Sequence, residues 1–584
     1  MRRINLVFLA FCLAFIAILS RLFYWQILAS EKLAIEAQKQ YGQKNIIFSL
    51  RGEIKANDNA TLVTNQTAYL VYVNPKKIKI PPGQLADQLA PIFLEDKITD
   101  QESTESSKSN FDKKDIMEKE IERIKKSLSK TNLEWIALKH KVEKTSLEKI
   151  KSLGIEGVDF EEESKRFYPE SSMAAHLLGF VGSDANGEDK GYFGLEGFYD
   201  YELKGRSGFT ITEKDARGAP IILGGTEQIE AINGRNMILH LDRTVQFIVE
   251  KKLREAVIRY GAKEGSVAIM DPKTGGIIAL SNFPSYAGGN WQSFDSGLYK
   301  NPFIADTFEP GSIFKTFVMA AALNENAVKP ETICNKCSGP RIVNDFTIKT
   351  WNSKYYPGTS MTEVLEHSDN VGMVFVGEKL GGEKLISYLQ NFGFGQPTGI
   401  DLEEETNVPL RPKNEWRPID LATVTFGQGI AVTGIQTLTA VAAIANGGKL
   451  FKPHVVARIQ NDNGSIIEIK PKLTRQVIKP ATSKVLTEMM VNAVDKGEAR
   501  FAKPKGYRIA GKTGTAQIPI AGHYDPTKTI ASFIGFAPAD YPKFVMLTIL
   551  REPTSSPWGS ETAAPLFFDI TKELFTYYKI APEP

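Results

Sequence analysis

Residues 266–280 read Ser266-Val267-Ala268-Ile269-Met270-Asp271-Pro272-Lys273-Thr274-Gly275-Gly276-Ile277-Ile278-Ala279-Leu280. Two short apolar runs joined by a Pro/Gly turn predict a β-hairpin. Just upstream, Met237-Ile238-Leu239 leads into Asp242 and an amphipathic helix through Ile258. Downstream, apolar helical segments cover Phe314 to Leu323 and Gln436 to Ala445, and strands return at Ala531 to Phe536 and Phe544 to Leu550. A hairpin, a block of helices and then further strands predict an α+β or α/β sheet with helices packed on its faces.

The chain as a whole is larger than that sheet needs. Its 584 residues call for two or three domains, and 42% hydrophobic with 24% charged residues supplies ample core. A net charge of +3 is close to neutral at this length, so no nucleic-acid surface is expected. Three cysteines exclude a disulfide-built scaffold. Cys12 lies in an apolar run, leaving Cys334 and Cys337 as a lone C-x-x-C pair, either a loop disulfide or two free thiols. A structural zinc site needs two more ligands, and the six histidines are scattered singly, so no metal is expected.

At the N-terminus, Arg2 and Arg3 precede an unbroken apolar stretch from Leu6 to Leu19, interrupted before Leu28 only by Ser20, Arg21 and Gln26. The segment reaches membrane-spanning length, with Arg21 able to snorkel and Phe23, Tyr24 and Trp25 forming an interfacial aromatic cluster. A cleaved signal peptide would want a small-x-small site where these aromatics stand, so an uncleaved anchor is expected. The leading arginines place the N-terminus in the cytoplasm and the rest of the chain outside.

From Ser30 to about Gly234 the composition is mixed. Arg51-Gly52-Glu53-Ile54 opens a strand-like segment, and Ala68 to Val73 alternates as a strand does. The charged stretch Lys113 to Leu128 places Ile116, Met117, Ile121, Ile124 and Leu128 at helical spacing. It reads as a surface helix without chemistry.

Chemistry is carried by three short motifs in order: Ser312-Ile313-Phe314-Lys315, Ser368-Asp369-Asn370, and Lys512-Thr513-Gly514-Thr515. Each alone has a bland reading: a helix cap with a surface lysine, a turn, an exposed strand end. Together and in this order, S-x-x-K, S-D-N and K-T-G form a specific signal. Pro310-Gly311 lets a helix start at Ser312, where backbone N–H groups favour developing negative charge. Lys315, one turn on, can reach the serine hydroxyl, and acts as a base only if desolvation and a second cation lower its pKa. Lys512 supplies that cation and attracts a substrate carboxylate. Ser368 offers a proton relay, and Asn370 an amide to orient Lys315 and a substrate peptide bond. Gly514 suits a strand approached closely by a ligand backbone, and Thr513 and Thr515 offer hydroxyls for a terminal carboxylate. The backbone N–H groups of Ser312 and Thr515 are the natural oxyanion hole.

These motifs, with Phe308-Glu309-Pro310-Gly311-Ser312, Phe426-Gly427-Gln428-Gly429 with Thr433 and Gln436, Ala445-Asn446-Gly447-Gly448 and Ala510 to Ala516, resemble the class B penicillin-binding proteins, the single-function transpeptidases of peptidoglycan synthesis. Upstream, Arg51-Gly52, Arg166-Phe167-Tyr168-Pro169 and Gly194-Leu195-Glu196-Gly197 resemble that family's non-catalytic pedestal. The resemblance covers nearly the whole chain. It implies a membrane anchor over 1–28, an elongated mixed α/β pedestal over 29–235, and a transpeptidase domain over 236–584 with an antiparallel sheet flanked by helices. It implies further that Ser312 attacks a D-Ala-D-Ala stem peptide and is acylated by β-lactam antibiotics. No cofactor is implied, and a polytopic glycosyltransferase with other divisome-type proteins follows as partners by analogy.

Two other functions compete. A β-lactamase needs a deacylating glutamate, for which Glu403, Glu404 and Glu405 stand at a suitable place in the chain, but Asp401 to Asn407 reads as a solvated loop. A β-lactam sensor needs a cytoplasmic signalling part, and only a few residues precede the anchor. Within the family, Ser532 to Pro538 and Ala563 to Phe567 look more like the division and sporulation branch than the elongation branch.

Overall fold

The strand Phe544–Arg551 is apolar at nearly every position and buried through Leu550, as a strand must be when both faces of its sheet are covered. In the computed structural model it lies at the middle of a five-stranded antiparallel sheet. The structure describes residues 2–33, 42–98, 110–185, 187–213, 226–520 and 523–583. The strands are β1 (Glu264–Met270), β2 (Ile277–Phe283), β3 (Ala510–Ile520), β4 (His523–Ala537) and β5 (Phe544–Arg551), in the spatial order β2-β1-β5-β4-β3. β1 and β2 are the expected hairpin, with Ser266 opposite Asn282 and Ala268 opposite Leu280.

The two-residue period of the strands sorts their side chains between two cores. Val267, Ile269, Phe533, Met546 and Leu550 pack with Val245, Val249 and Leu253 of α1 (Arg243–Tyr260) and with a C-terminal helix, Ala563–Tyr577. Ala268, Met270, Ile534, Leu547 and Ile549 face the opposite core. That core holds α2 (Lys315–Asn324), α3 (Asn370–Leu380) and α4 (Gly434–Ala445). Helix α1 starts where Asp242 accepts the N–H groups of Thr244 and Val245 at 3.0 and 3.1 Å, and it stops at Gly261, whose φ of 58° ends the helix. Helix α4 is buried from Gly434 to Ile444, consistent with its lack of a polar face.

The chain divides into two compact units, residues 1–51 with 204–234, and 52–203 with 235–584. In the first, Arg2–Leu28 is one helix long and apolar enough to cross a membrane, with a mean hydropathy of 2.6 and no buried residue. The same unit holds a three-stranded antiparallel sheet of Gly42–Ile47, Gly208–Glu213 and Thr226–Ile229.

The second unit carries, besides the five-stranded sheet, a seven-stranded mixed sheet. Thr61–Val73 pairs there with Ile136–Val142 and Val158–Phe167, and Asn236–Leu239 lies between Ile54–Lys55 and Val456–Gln460. The expected helix is present at Asn110–Leu128. It buries Ile124 and Leu128, half-buries Met117 and Ile121, and leaves Ile116 exposed. The motif residues Arg166 and Glu196 form a buried ion pair at 2.7 Å, each charge offsetting the cost of burying the other.

One sequence expectation holds only in part: in Asp401 to Asn407, Glu403, Glu404 and Asn407 are exposed, but Asp401 and Leu402 are buried. Asp401 is buried and accepts the N–H groups of Val455 and Val456 at 2.6 and 3.0 Å and the Tyr199 hydroxyl at 3.1 Å. Glu403 accepts the Phe193 N–H, and Glu405 accepts those of Thr398 and Gly399. Acidic residues read as solvated because carboxylates usually are; here buried backbone donors needed acceptors.

Cys334 and Cys337 are joined in a disulfide, with their Cα atoms 5.7 Å apart.

Candidate active site

Gly311-Ser312-Ile313-Phe314 forms a 3₁₀ turn, and α2 begins only at Lys315. The sequence placed Ser312 at the start of an α-helix. The structure tightens that start, because Gly311 adopts φ 55° and Pro310 restricts the residue before it. The turn carries Lys315 into the core, where it is fully buried, and Lys512 of β3 is 4% exposed.

The two amines meet at one hydroxyl. Lys315 Nζ donates to the Ser368 carbonyl at 2.5 Å, to Ser368 Oγ at 3.1 Å and to Asn370 Oδ1 at 2.8 Å. Lys512 Nζ donates to the same Ser368 Oγ at 3.0 Å and lies 3.3 Å from Thr513 Oγ1. Ser368 can serve both because its φ of 54° turns carbonyl and hydroxyl toward Lys315. Asp369 then caps α3, accepting the Val371 N–H at 2.8 Å, and Asn370 opens that helix while its amide donates to the Lys349 carbonyl at 3.1 Å. Each residue of Ser-Asp-Asn thus has its own structural task.

Electrostatics follow from burial. Lys315 is held well below the usual lysine range, first by desolvation and then by the Lys512 charge, with Asp369 and Glu498 opposing. Burial takes Lys512 down to about 8. Glu498, beyond the helix Pro480–Asp495, was not singled out from the sequence; an acidic residue in a surface loop gives no sign of facing two buried cations.

Ser312 Oγ makes no hydrogen bond among the described residues, and Lys315 is engaged instead by Ser368 and Asn370. Ser312 is located by its neighbours. A Cβ on Gly311 would stand 2.7 Å from the Thr515 carbonyl oxygen, and one on Gly514 would stand 3.0 Å from the Ile313 side chain. The serine turn is therefore pressed on β3 at Gly514–Thr515, at the end strand of the sheet. Thr515 Oγ1 accepts the Gly559 N–H at 2.9 Å and keeps its own proton to donate. From the other side, Gly427 accepts the Gly311 N–H at 3.0 Å. Among the described residues no cluster of three His, Cys, Asp or Glu is placed to hold a metal ion.

Comparison with known proteins gives the family. Residues 265–572 match the penicillin-binding protein transpeptidase domain, and residues 46–239 match the penicillin-binding protein dimerisation domain. Stage V sporulation protein D of Bacillus subtilis (strain 168) is 33% identical over 100% of this chain and 86% of its own length. Peptidoglycan D,D-transpeptidase FtsI of Escherichia coli (strain K12) is 30% identical over 77% of this chain and 73% of its own. The crystal structure of a peptidoglycan synthetase from Bifidobacterium adolescentis superposes with a TM-score of 0.71 at 25% identity, covering 93% of this chain and 98% of that one. The chain belongs to the class B penicillin-binding proteins, the peptidoglycan D,D-transpeptidases.

Gly427 gives a direct check on how the Ser312 turn is held. It adopts φ 81°, and an added Cβ would stand 2.1 Å from the Gly311 carbonyl oxygen. Gly427→Ala is expected to displace the serine turn and slow covalent labelling by penicillin on the order of 10²-fold, with circular dichroism unchanged. Labelling at the wild-type rate would show that this contact does not position Ser312.

Proposed function

We propose that Ser312 is the acylated nucleophile of stem-peptide cross-linking and that Lys315, Ser368, Asn370 and Lys512 form its proton-handling group. The observation carrying this reading is the hydrogen-bonded chain from Lys512 through Ser368 to Lys315 and Asn370, with both lysines buried beside the serine turn. Two ammonium groups on one hydroxyl, out of water, favour loss of one proton, and burial together with the Lys512 charge holds Lys315 well below the usual lysine range. With Lys315 neutral, its two N–H groups serve the Ser368 carbonyl and Asn370 Oδ1, and its lone pair is left to take the Ser312 proton. The Ser368 hydroxyl accepts from Lys512.

Ser312 Oγ attacks the penultimate D-Ala carbonyl and passes its proton to Lys315. The oxyanion takes the backbone N–H groups of Ser312 and Thr515. The terminal carboxylate binds Lys512 and the hydroxyls of Thr513 and Thr515, while Gly514 leaves the strand free for close approach. Through Ser368, the proton reaches the departing D-Ala amine. An acceptor amine then attacks the ester and frees Ser312. One peptide bond breaks and one forms, so no external energy source is needed. Glu403 and Glu405 are occupied as acceptors for backbone N–H groups, which argues against a lactamase-type water base there.

The names of the relatives and the C-terminal stretches favour a septal, division or sporulation, role over elongation. We assign residues 1–28 to a single-pass anchor in the cytoplasmic membrane with the N-terminus inside. Residues 29–235 are assigned to a pedestal and 236–584 to the catalytic domain outside. A polytopic glycosyltransferase is the partner expected by analogy.

Ser312→Ala is expected to abolish labelling by a fluorescent penicillin; a retained label would refute the assignment. Acylation should rise with pH as Lys315 loses its proton, and fall again above about 8 as Lys512 does, measured as labelling rate against pH. Depletion in the native host is expected to give filaments, whereas rounded cells would point to elongation.

A further inference from the structure

The nucleophile segment holds one charged group that the chemistry above leaves unused. Glu309, three residues before Ser312, lies half-buried between the Gly427-Gln428-Gly429 loop and the β3–β4 hairpin. Its carboxylate accepts the Gly429 N–H at 3.1 Å and the Tyr524 hydroxyl at 3.1 and 3.2 Å. Among the described residues no lysine, arginine or histidine pairs with it. Burial pushes its carboxyl up, and Tyr524 is raised to about 12, so the phenol stays protonated and donates. A carboxylate drawn out of water with no cation beside it is electrostatically incomplete.

Its position along β3 suggests what completes it. β3 is the end strand of its sheet, so its outer edge is open to an extended peptide. Lys512 and Thr513 mark one end of that edge and the serine turn meets it at Gly514–Thr515. Pro519, opposite Tyr524, marks the other end. A donor whose carboxylate sits at Lys512 must run its N-terminal part toward Tyr524. From Thr515 to Pro519 is roughly 13 Å at about 3.3 Å per residue. One residue step and a lysine-length side chain cover most of that distance.

Donor and acceptor stems are copies of one polymer. Every uncross-linked stem therefore carries the side-chain amine that will serve it as an acceptor. We propose that Glu309, presented by Tyr524 and Gly429, is the subsite that reads this free ammonium on the donor, at the residue before the D-Ala pair. A stem whose amine is already in a cross-link has an uncharged amide there and is disfavoured. The inference rests on the donor orientation proposed above.

The test uses full-length protein in detergent micelles. Two synthetic peptides ending in D-Ala-D-Ala differ only in whether the preceding residue's side-chain amine is free or acetylated, and release of D-Ala is measured. Wild type is expected to favour the free amine about tenfold in kcat/KM. Glu309→Gln should lose about tenfold on the free-amine donor and turn over both donors alike. The glutamine keeps an acceptor for Gly429 and lets the Tyr524 hydroxyl turn to accept, so the local fold is preserved. Equal turnover by wild type, or a preference surviving in Glu309→Gln, would overturn the proposal. If penicillin labels the wild type normally, such a result counts against Glu309 alone; without labelling, the transpeptidase reading falls with it.

Discussion

Lys315 and Lys512 share the hydroxyl of Ser368 in a place that water does not reach, and the rest of the site depends on that arrangement. Two ammonium groups at this separation repel, and burial removes the solvent that would screen them. The relief available is loss of a proton, which leaves a neutral amine beside a cation. A serine nucleophile needs the first and an anionic substrate terminus needs the second. Ser368 in its left-handed conformation, Asp369 as a helix cap and Asn370 at the helix start each serve to hold this pair.

The sheet makes such burial possible. Helices cover both of its faces, so its central strand is apolar at nearly every position, and the backbone edge of β3 remains available to a peptide. An open edge invites unwanted pairing. Here the serine turn, pressed on Gly514 and Thr515, and Gly559, packed on Gly514, crowd part of it. Glycines stand where backbones nearly touch: Gly311 on Thr515, Gly427 on Gly311, Gly559 on Gly514.

Acidic residues, buried at Glu196 and Asp401, organise the surrounding loops. Glu196 holds Arg166, Asp401 gathers the N–H groups of Val455 and Val456, and Glu403 and Glu405 bind loop backbones. In each case a carboxylate satisfies donors that secondary structure leaves free. Glu309 does the same for Gly429, yet it retains an uncompensated charge near the nucleophile.

Much of this was legible in residue order. Hairpin, helices and strands follow from runs of 5–15 residues whose periodicity is a local property, and the Arg2–Leu28 helix follows from hydropathy alone. The three motifs announced serine, lysine and threonine chemistry because few other tasks need those side chains in that order. Which atoms touch was not legible. That Lys315 bonds Ser368 and Asn370 rather than Ser312, that Asp401 is buried, and that Glu498 faces two lysines depend on chain segments tens to hundreds of residues apart. Local sequence determines a residue's conformational preference and chemical type. Its solvent exposure and its partners, which set pKa and reactivity, are decided only when distant segments pack and exclude water.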